Sequence, residues 1–372
     1  MAEAGPRVLH LLACDDWGGT EVQVAAQILR WGDAPGMQAA AFLQPPGPIS
    51  HRLRSGGCRA LSVAGPWGAA GAVARVARFL RRGRFDVIEA YGLKAGLIAR
   101  AAALLGGRPA VVIGIRSRHF SQGDPGELRT RAIMTVERIL VSTVAAYDAN
   151  SHGARDFLVD AGFPSARFTV IPNGMELPSV RASPTRTTRP TIVCVARLVP
   201  LKRHDVLLQG LAGLTREGLD LRCEIIGYGP EEERLRHQAS DLGLRDRVAF
   251  LGRLGQAEIL DHLAAADLFV LTSSYEGMPG SVLEAMACGL PVVATDVDGT
   301  REVVEDGVTG ALIPAADIDA LIHALWRLLA DPALRSSMGT AGRERVADRF
   351  SFERVITAKL RLYQDVLSSR AP

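Results

Sequence analysis

Aromatic residues make up only 5% of this 372-residue chain, and its basic residues form no cluster with them. That leaves little to stack on bases or track a phosphate backbone, and argues against a nucleic-acid partner. The five cysteines (Cys14, Cys58, Cys194, Cys223, Cys288) are odd in number, scattered and without Cys-x-x-Cys spacing. This argues for reduced thiols and a cytoplasmic setting, and against a structural zinc site. No apolar run reaches the roughly 18 residues that a membrane-spanning helix needs. No basic stretch precedes the first apolar run, Val8–Ala13, which argues against a secretory signal. No Asp-x-Asp stands in a metal-like loop: Asp15 and Asp16 are adjacent, and Asp296-x-Asp298 follows a strand inside another motif. Gly227-Tyr228-Gly229-Pro230-Glu231-Glu232 lacks the third glycine of a dinucleotide fingerprint, which excludes a dehydrogenase. Low-complexity tracts and solenoid-length repeats are absent as well.

What is present is the composition of a globular protein, 48% hydrophobic and 22% charged, at a length that calls for two domains. The net charge of +3 is unevenly spread. Residues 1–178 carry 20 Lys and Arg against 14 Asp and Glu, and the remainder 23 against 26. A basic first half suits an acidic acceptor or an anionic membrane surface, and equally suits arginines on solvated faces. Within it, Ala72–Phe85 interleaves Arg75, Arg78, Arg81, Arg82 and Arg84 with Val73, Val76, Phe79 and Leu80. The reading favoured here is a crossover helix with its arginines outside; docking on anionic lipid is the alternative.

Short apolar or β-branched runs alternate with helical patterns, which predicts parallel sheets with crossover helices. The first set of strands is expected at Val8–Ala13, Gln38–Leu43, Asp86–Ala90 and Ala110–Ile115, with weaker ones near Val144–Ala149 and Thr169–Ile171. The second is expected at Thr191–Ala196, Arg222–Gly227, Val248–Leu251, Leu268–Leu271 and Val292–Thr295. Between them, Pro178–Pro190 has almost no large apolar residue and reads as a linker. The fold class expected is α/β, two doubly wound parallel-sheet units facing across a cleft. The first covers residues 1–178, the linker 179–189 and the second 190–351, with an amphipathic helix at 352–372 packing back on the first.

One stretch carries more chemistry than any other. Thr272-Ser-Ser-Tyr-Glu276-Gly-Met-Pro-Gly280-Ser-Val-Leu-Glu284-Ala-Met-Ala-Cys-Gly289 follows a strand-like run, turns at Gly277, Pro279 and Gly280, and enters a short helix closed by Gly289. Two carboxylates thus flank a helix N-terminus whose free amides favour an anion. A ligand with both hydroxyls and phosphates fits this arrangement, namely a nucleotide sugar. Arg197 and Lys202 follow the strand Thr191–Ala196, where open α/β sheets bind ligands, and their charges suit a diphosphate.

Taken together, Arg197 with Lys202, Gly227-Tyr-Gly-Pro230, Glu276 with Glu284, and Leu290-Pro-Val-Val-Ala-Thr-Asp-Val-Asp-Gly299 resemble, in order and spacing, the GT-B retaining glycosyltransferases of family 4. In the first half Gly18-Gly19-Thr20-Glu21, Ala149-Asn-Ser151 and Val170-Ile-Pro-Asn-Gly174 stand where that family has similar segments. The resemblance implies a GT-B fold and a hexose donor linked to UDP or GDP. It further implies a glycan or lipid-linked acceptor in cell-surface polysaccharide synthesis, with the anomeric configuration retained and no required cofactor or metal. Arg197 and Lys202 would neutralise the diphosphate, and the amides of Gly280, Ser281 and Val282 would cradle it. Glu284 would accept from the ribose hydroxyls, Glu276 from those of the transferred sugar, and Arg253 with Leu254 would border the base. Gly18, Gly19 and Gly227 complete the donor-binding set; the first two would let backbone approach the phosphates.

One departure concerns a histidine that many members of that family carry just after the strand read here as Ala110–Ile115. This chain has Arg116-Ser-Arg-His119. Either Arg116 stands in the catalytic site or His119 reaches in. Lys94, after Tyr91-Gly-Leu, borders the expected acceptor side. A hydrolase or phosphorylase on the same fold, or a nucleotide-sugar-binding partner subunit, are rival readings. Nothing resembles a pyridoxal-phosphate lysine segment, which weakens the phosphorylase, and the intact Arg197, Lys202, Glu276 and Glu284 weaken the partner subunit. The expected location is cytoplasmic, with peripheral contact at an anionic inner membrane an open alternative.

Overall fold

Strands in the first half are apolar on both faces, the pattern of parallel strands sandwiched between helices. In the computed structural model, which describes residues 5–31, 34, 36–116, 134–182 and 189–370, they form one seven-stranded sheet. Its strands are β1 (Arg7–Leu12), β2 (Met37–Phe42), β3 (Arg59–Ser62), β4 (Val87–Tyr91), β5 (Ala110–Ile115), β6 (Ala146–Ala149) and β7 (Phe168–Val170). The order is β3-β2-β1-β4-β5-β6-β7, and every neighbouring pair is parallel. Crossovers run through helices α1 (Gly19–Leu29), α2 (Pro48–Ser55), α3 (Gly68–Gly83), α4 (Leu93–Leu105) and α5 (His152–Asp160). The side chain of Ser151 caps α5, accepting from the amide of Ala154 at 3.1 Å. Helix α3 is the crossover helix expected: Val76 and Leu80 are buried while Arg78, Arg81 and Arg82 are exposed. Of the helix expected over 126–142, residues 134–139 are helical and 126–133 lie outside the described residues; α2 with its short edge strand β3 was not foreseen.

The second sheet repeats the plan. Strands β8 (Thr191–Val195), β9 (Arg222–Ile226), β10 (Val248–Gly252), β11 (Leu268–Leu271), β12 (Val292–Thr295) and β13 (Gly310–Ile313) are all parallel, in the order β10-β9-β8-β11-β12-β13. Helices α6 (His204–Arg216), α7 (Glu232–Asp241), α8 (Gln256–Ala265), α9 (Gly280–Cys288), α10 (Asp298–Val303), α11 (Ile318–Ala330) and α12 (Pro332–Arg349) cover it. A last helix, α13 (Phe352–Ser368), follows. The contacts divide the chain into two units. One runs to Gly174 and takes back the chain from Phe352, and the other covers Met175–Ser351. The protein thus has an α/β GT-B architecture with two Rossmann-like parallel sheets.

Helix α13 is fixed to the first sheet by charge as well as by packing. Val355, Leu362, Tyr363 and Val366 are buried, and Lys359 occupies the same stripe at 1% exposure. Its Nζ donates to Glu89 Oε1 on β4 and Asp148 Oδ2 on β6, both at 2.6 Å. The Tyr363 hydroxyl donates to Glu89 Oε2. His10 on β1 lies opposite Glu89 in the strand register and bonds Gln38 at 2.7 Å. Burial penalises the Glu89 charge, yet Lys359, His10 and Arg116 outweigh it and hold its pKa well below the usual range. Burial lowers the pKa of His10 to about 4, so its ring stays neutral at physiological pH.

Candidate active site

In a doubly wound sheet, ligands bind beyond the carboxyl ends of the two adjacent strands whose chains leave in opposite directions. In the second unit those strands are β8 and β11. The segment Ala196–Arg203 leaves β8 and Thr272–Gly280 leaves β11, so topology alone brings the two expected motifs side by side. They are stitched together by backbone. The Ser274 amide donates to Leu201 O at 2.9 Å, and the Thr272 hydroxyl to Arg203 O at 2.8 Å.

Lys202 and Glu276 meet across this seam, Nζ to Oε1, as a half-buried ion pair. The Ser273 hydroxyl donates to the same Glu276 oxygen at 2.7 Å. With Glu276 8% exposed, these two contacts fix its carboxyl rather than leave it to search rotamers. Arg197 is exposed and has no ion pair among the described residues. Its fork is therefore unused by the protein itself. Helix α9 begins with Pro279 at its N-cap, which supplies no side-chain acceptor. The amides of Gly280, Ser281 and Val282 are thus left without an intrahelical or capping partner, where the helix dipole is positive. Glu284 lies four residues after Gly280, on the same face of the helix. It accepts from Gln256 Nε2, at the start of α8, at 2.9 Å. Desolvation raises its pKa and the Gln256 bond works against that.

Two glycines shape the seat by close approach rather than by touching a ligand. Gly227 has φ +152, and a Cβ there would stand 1.9 Å from Ala196 O; the turn after β9 lies against the Arg197 loop. A Cβ at Gly299 would stand 2.4 Å from Gly277 O and 2.6 Å from Glu276 O. The start of α10 is therefore pressed onto the Glu276 turn from behind. Thr295 adds a hydroxyl bond to Ser273 O. Sequence reasoning placed Gly227 with the donor and passed over Ser273, Thr295 and Gly299. The short polar residues spaced three before Glu276 and four before Gly299 were the available hints. His204, also missed, is 2% exposed beside Lys202. Desolvation first, then Lys202, lowers its pKa to about 4, which keeps it neutral. Beneath the seat, burial pushes the Cys194 thiol up to about 12, so it is no nucleophile at neutral pH. Arg253 is exposed over the Tyr228 ring at 5.4 Å, and Leu254 packs on the unit's core.

The remaining expected residues lie in the first unit. Gly18 is the N-cap of α1, and Glu21 folds back so closely that a Cβ at Gly18 would stand 2.2 Å from its carboxylate. At Gly19 a Cβ would meet nothing within 4 Å. Lys94 is exposed at the start of α4. The first sheet's own switch point, between β1 and β4, is followed by these two segments. Arg116 does not extend as a free cation. Its guanidinium pairs with Asp148, lies 3.8 Å from Glu89 and covers the Tyr91 ring at 5.2 Å. Burial opposes its charge, and Asp148, Tyr91 and Glu89 more than offset that. The guanidinium is engaged in the network that holds α13. His119 lies outside the described residues.

With this geometry in hand, comparison with known proteins is informative. Residues 178–345 match the family of glycosyl transferases group 1, and residues 18–174 the glycosyl transferase 4-like domain. A GDP-mannose-dependent alpha-(1-6)-phosphatidylinositol monomannoside mannosyltransferase of Mycolicibacterium smegmatis is 35% identical over 54% of this chain and 57% of its own. The chain thus spans little more than half the length of that relative. A D-inositol 3-phosphate glycosyltransferase of Acidothermus cellulolyticus is 30% identical over 97% of this chain and 89% of its own. Among solved structures, Anabaena HepE in complex with UDP and glucose superposes with a TM-score of 0.83, at 22% identity. That superposition covers 98% of this chain and 100% of that one, and speaks to the fold alone.

Proposed function

This chain belongs to the family 4 glycosyltransferases, and from that premise we propose that it transfers a hexose from a nucleoside diphosphate sugar to a hydroxyl of a glycan or lipid-linked acceptor. The observation that carries the reading is the Lys202–Glu276 pair set beside the open N-terminus of α9, with Arg197, which has no ion pair among the described residues, in the same loop as Lys202. Departure of a nucleoside diphosphate builds negative charge on phosphate and positive charge on the sugar ring. Lys202, Arg197 and the three amides meet the first, and the fixed Glu276 carboxylate holds the sugar that bears the second. Glu284 takes the ribose hydroxyls. With Glu276 already paired to Lys202 and Ser273, and Cys194 held as a thiol, no free nucleophile is needed: the acceptor attacks from the face the leaving group departs, and configuration is retained.

Protein cations stand where a metal would otherwise balance the diphosphate, so turnover is expected to persist within about twofold on chelation by EDTA, a loss of under about 0.5 kcal/mol. Several relatives are named for GDP-mannose, which makes GDP the first nucleotide to test, ahead of UDP and ADP. A thermal-shift screen of the three decides. A nucleotide at about 100 times its Kd adds about 2.7 kcal/mol of stability. No stabilisation by any of them would sink the donor assignment. NMR of the product anomer against the donor anomer tests retention. The relatives named for phosphatidylinositol and inositol phosphate acceptors support an acceptor of the phosphoinositol class, and contact with an anionic membrane at the basic face of α3 is part of the same proposal. No described helix is long and apolar enough to cross a membrane.

A further inference from the structure

Helices α8 and α9 pack side by side, and one side-chain bond joins them beside the proposed seat. Gln256, exposed in the first turn of α8, donates from Nε2 to Glu284 Oε1 at 2.9 Å. Chemistry fixes the orientation of that amide, because only its NH2 end can face an ionised carboxylate. The start of α8 is itself held: Glu258 Oε2 accepts from the Gly255 amide at 2.7 Å. Gln256 therefore reaches Glu284 from a fixed point on the neighbouring helix.

Glu284 has no second side-chain partner among the described residues, so its Oε2 accepts from nothing. That atom is not among the unpartnered ones sealed from solvent, and the residue is half-buried. It is an acceptor with surface left to offer. A glutamate has three side-chain torsions, and fixing them only when a ligand arrives would weaken binding. Gln256 removes that search in advance. It does so without cancelling the charge: a neutral amide answers one oxygen, whereas a lysine would compete with any hydroxyl donor. Burial favours the protonated acid at Glu284, and the Gln256 bond works against it. Glu276 makes the contrast, since its partner Lys202 is a cation.

We propose that Gln256 is a positioning residue: it holds Glu284 so that Oε2 accepts from the ribose diol of the bound nucleotide, and so sets a preference for ribose over 2′-deoxyribose. The inference rests on the donor reading above and adds to it a residue and a selectivity. A ribonucleotide covers Glu284 and brings two hydroxyl donors; a 2′-deoxynucleotide covers it and brings one. The missing donor is felt in full only where the carboxylate cannot turn away, and Gln256 is what prevents it from turning.

Calorimetric titration of the full chain with GDP, UDP and their 2′-deoxy forms tests this. Four proteins are compared: wild type, Gln256→Ala, Glu284→Ala and the double variant, with melting curves to establish that each folds. Wild type is expected to bind the ribonucleotide about tenfold more tightly than its deoxy form. In Gln256→Ala the ribonucleotide weakens about fivefold and the deoxy form less than about twofold, so the preference narrows to about two- to fourfold. Adding Gln256→Ala to Glu284→Ala changes neither affinity, because the glutamine acts only through that carboxylate. Equal weakening of both forms by Gln256→Ala, or a further loss in the double variant, overturns the proposal. So does a Gln256→Ala protein that binds every nucleotide within about twofold of wild type. A wild type that binds neither GDP nor UDP overturns the donor reading and this inference with it; the other results leave the donor reading standing.

Discussion

Each unit holds one lysine against a carboxylate above the sheet, and the two pairs are built differently. Lys359 is 1% exposed and bridges two carboxylates that are themselves at 0%. Lys202 is 19% exposed and faces one carboxylate at 9%. The first cluster is nearly closed: Arg116, Lys359 and Tyr363 answer three of the four carboxylate oxygens of Glu89 and Asp148, and Asp148 Oδ1, itself buried, is the one left without a partner among the described residues. The second is open: Lys202 and Glu276 satisfy only part of each other, and among the described residues Arg197 has no ion pair and three amides of α9 have no acceptor. Burial separates the two pairs here better than residue type does. A buried pair contributes mainly through what its loss would leave uncompensated, whereas a half-buried one can exchange partners when a diphosphate arrives.

Four experiments press on that contrast. The largest effect is expected from Lys359→Ala, which removes the cation shared by two buried carboxylates; stability should fall by about 3–5 kcal/mol in chemical denaturation. A loss below about 1 kcal/mol would show that the cluster is not closed as described. Lys202→Ala should leave the denaturation curve close to wild type and lower turnover by about 10²–10³. Near-normal product formation from that variant would remove Lys202 from the phosphate seat. Next comes pH. His10 takes up its proton near 6.5 when unfolded but only near 4 when folded, so the unfolded chain binds more protons between those values. Stability is therefore complete above about pH 6.5 and falls toward pH 4 by about 1.4 kcal/mol per unit at most. His204 in the second unit has the same sign. His10→Gln should flatten the pH slope of the first unit, and an unchanged slope would place the coupling elsewhere. The smallest effect is expected from Ser273→Ala. Loss of its bond to Glu276 should lower kcat by about threefold to tenfold, or roughly 1 kcal/mol, and leave nucleotide KM unchanged. A change in KM alone would mean that Glu276 serves nucleotide binding.

The second unit was legible because its chemistry is local to the ends of strands. Arg197, Lys202 and Glu276 each follow a strong apolar run by two to seven residues, so reading the strands places them, and Glu284 follows from the short helix that the glycines around Glu276 announce. The missed elements are short and sit at edges or corners. Arg59–Ser62 is four residues with no buried face, Gly310–Ile313 is another four-residue edge strand, and Asp298–Val303 is barely more than a turn of helix. None has room for a period to declare itself. Arg116 shows the other limit. Its position after β5 was read correctly, but its partner Asp148 lies 32 residues away and only the sheet brings them together. Lys359 did leave a trace: it interrupts the apolar stripe of Val355, Leu362 and Val366, and a lysine in such a stripe asks for a buried acid.

The pairing of α13 with the first sheet also has a consequence for the order in which the protein is made. Lys359 and Tyr363 are synthesised after the whole of Met175–Ser351, so a nascent chain holds Glu89 and Asp148 without their shared lysine until the second unit has been made. The second unit, continuous in sequence, can finish folding on the ribosome while the first waits for its last helix. Ribosome stalling or truncation before residue 359 should therefore yield a chain in which the later-made half is native and the earlier-made half is prey to proteases and chaperones.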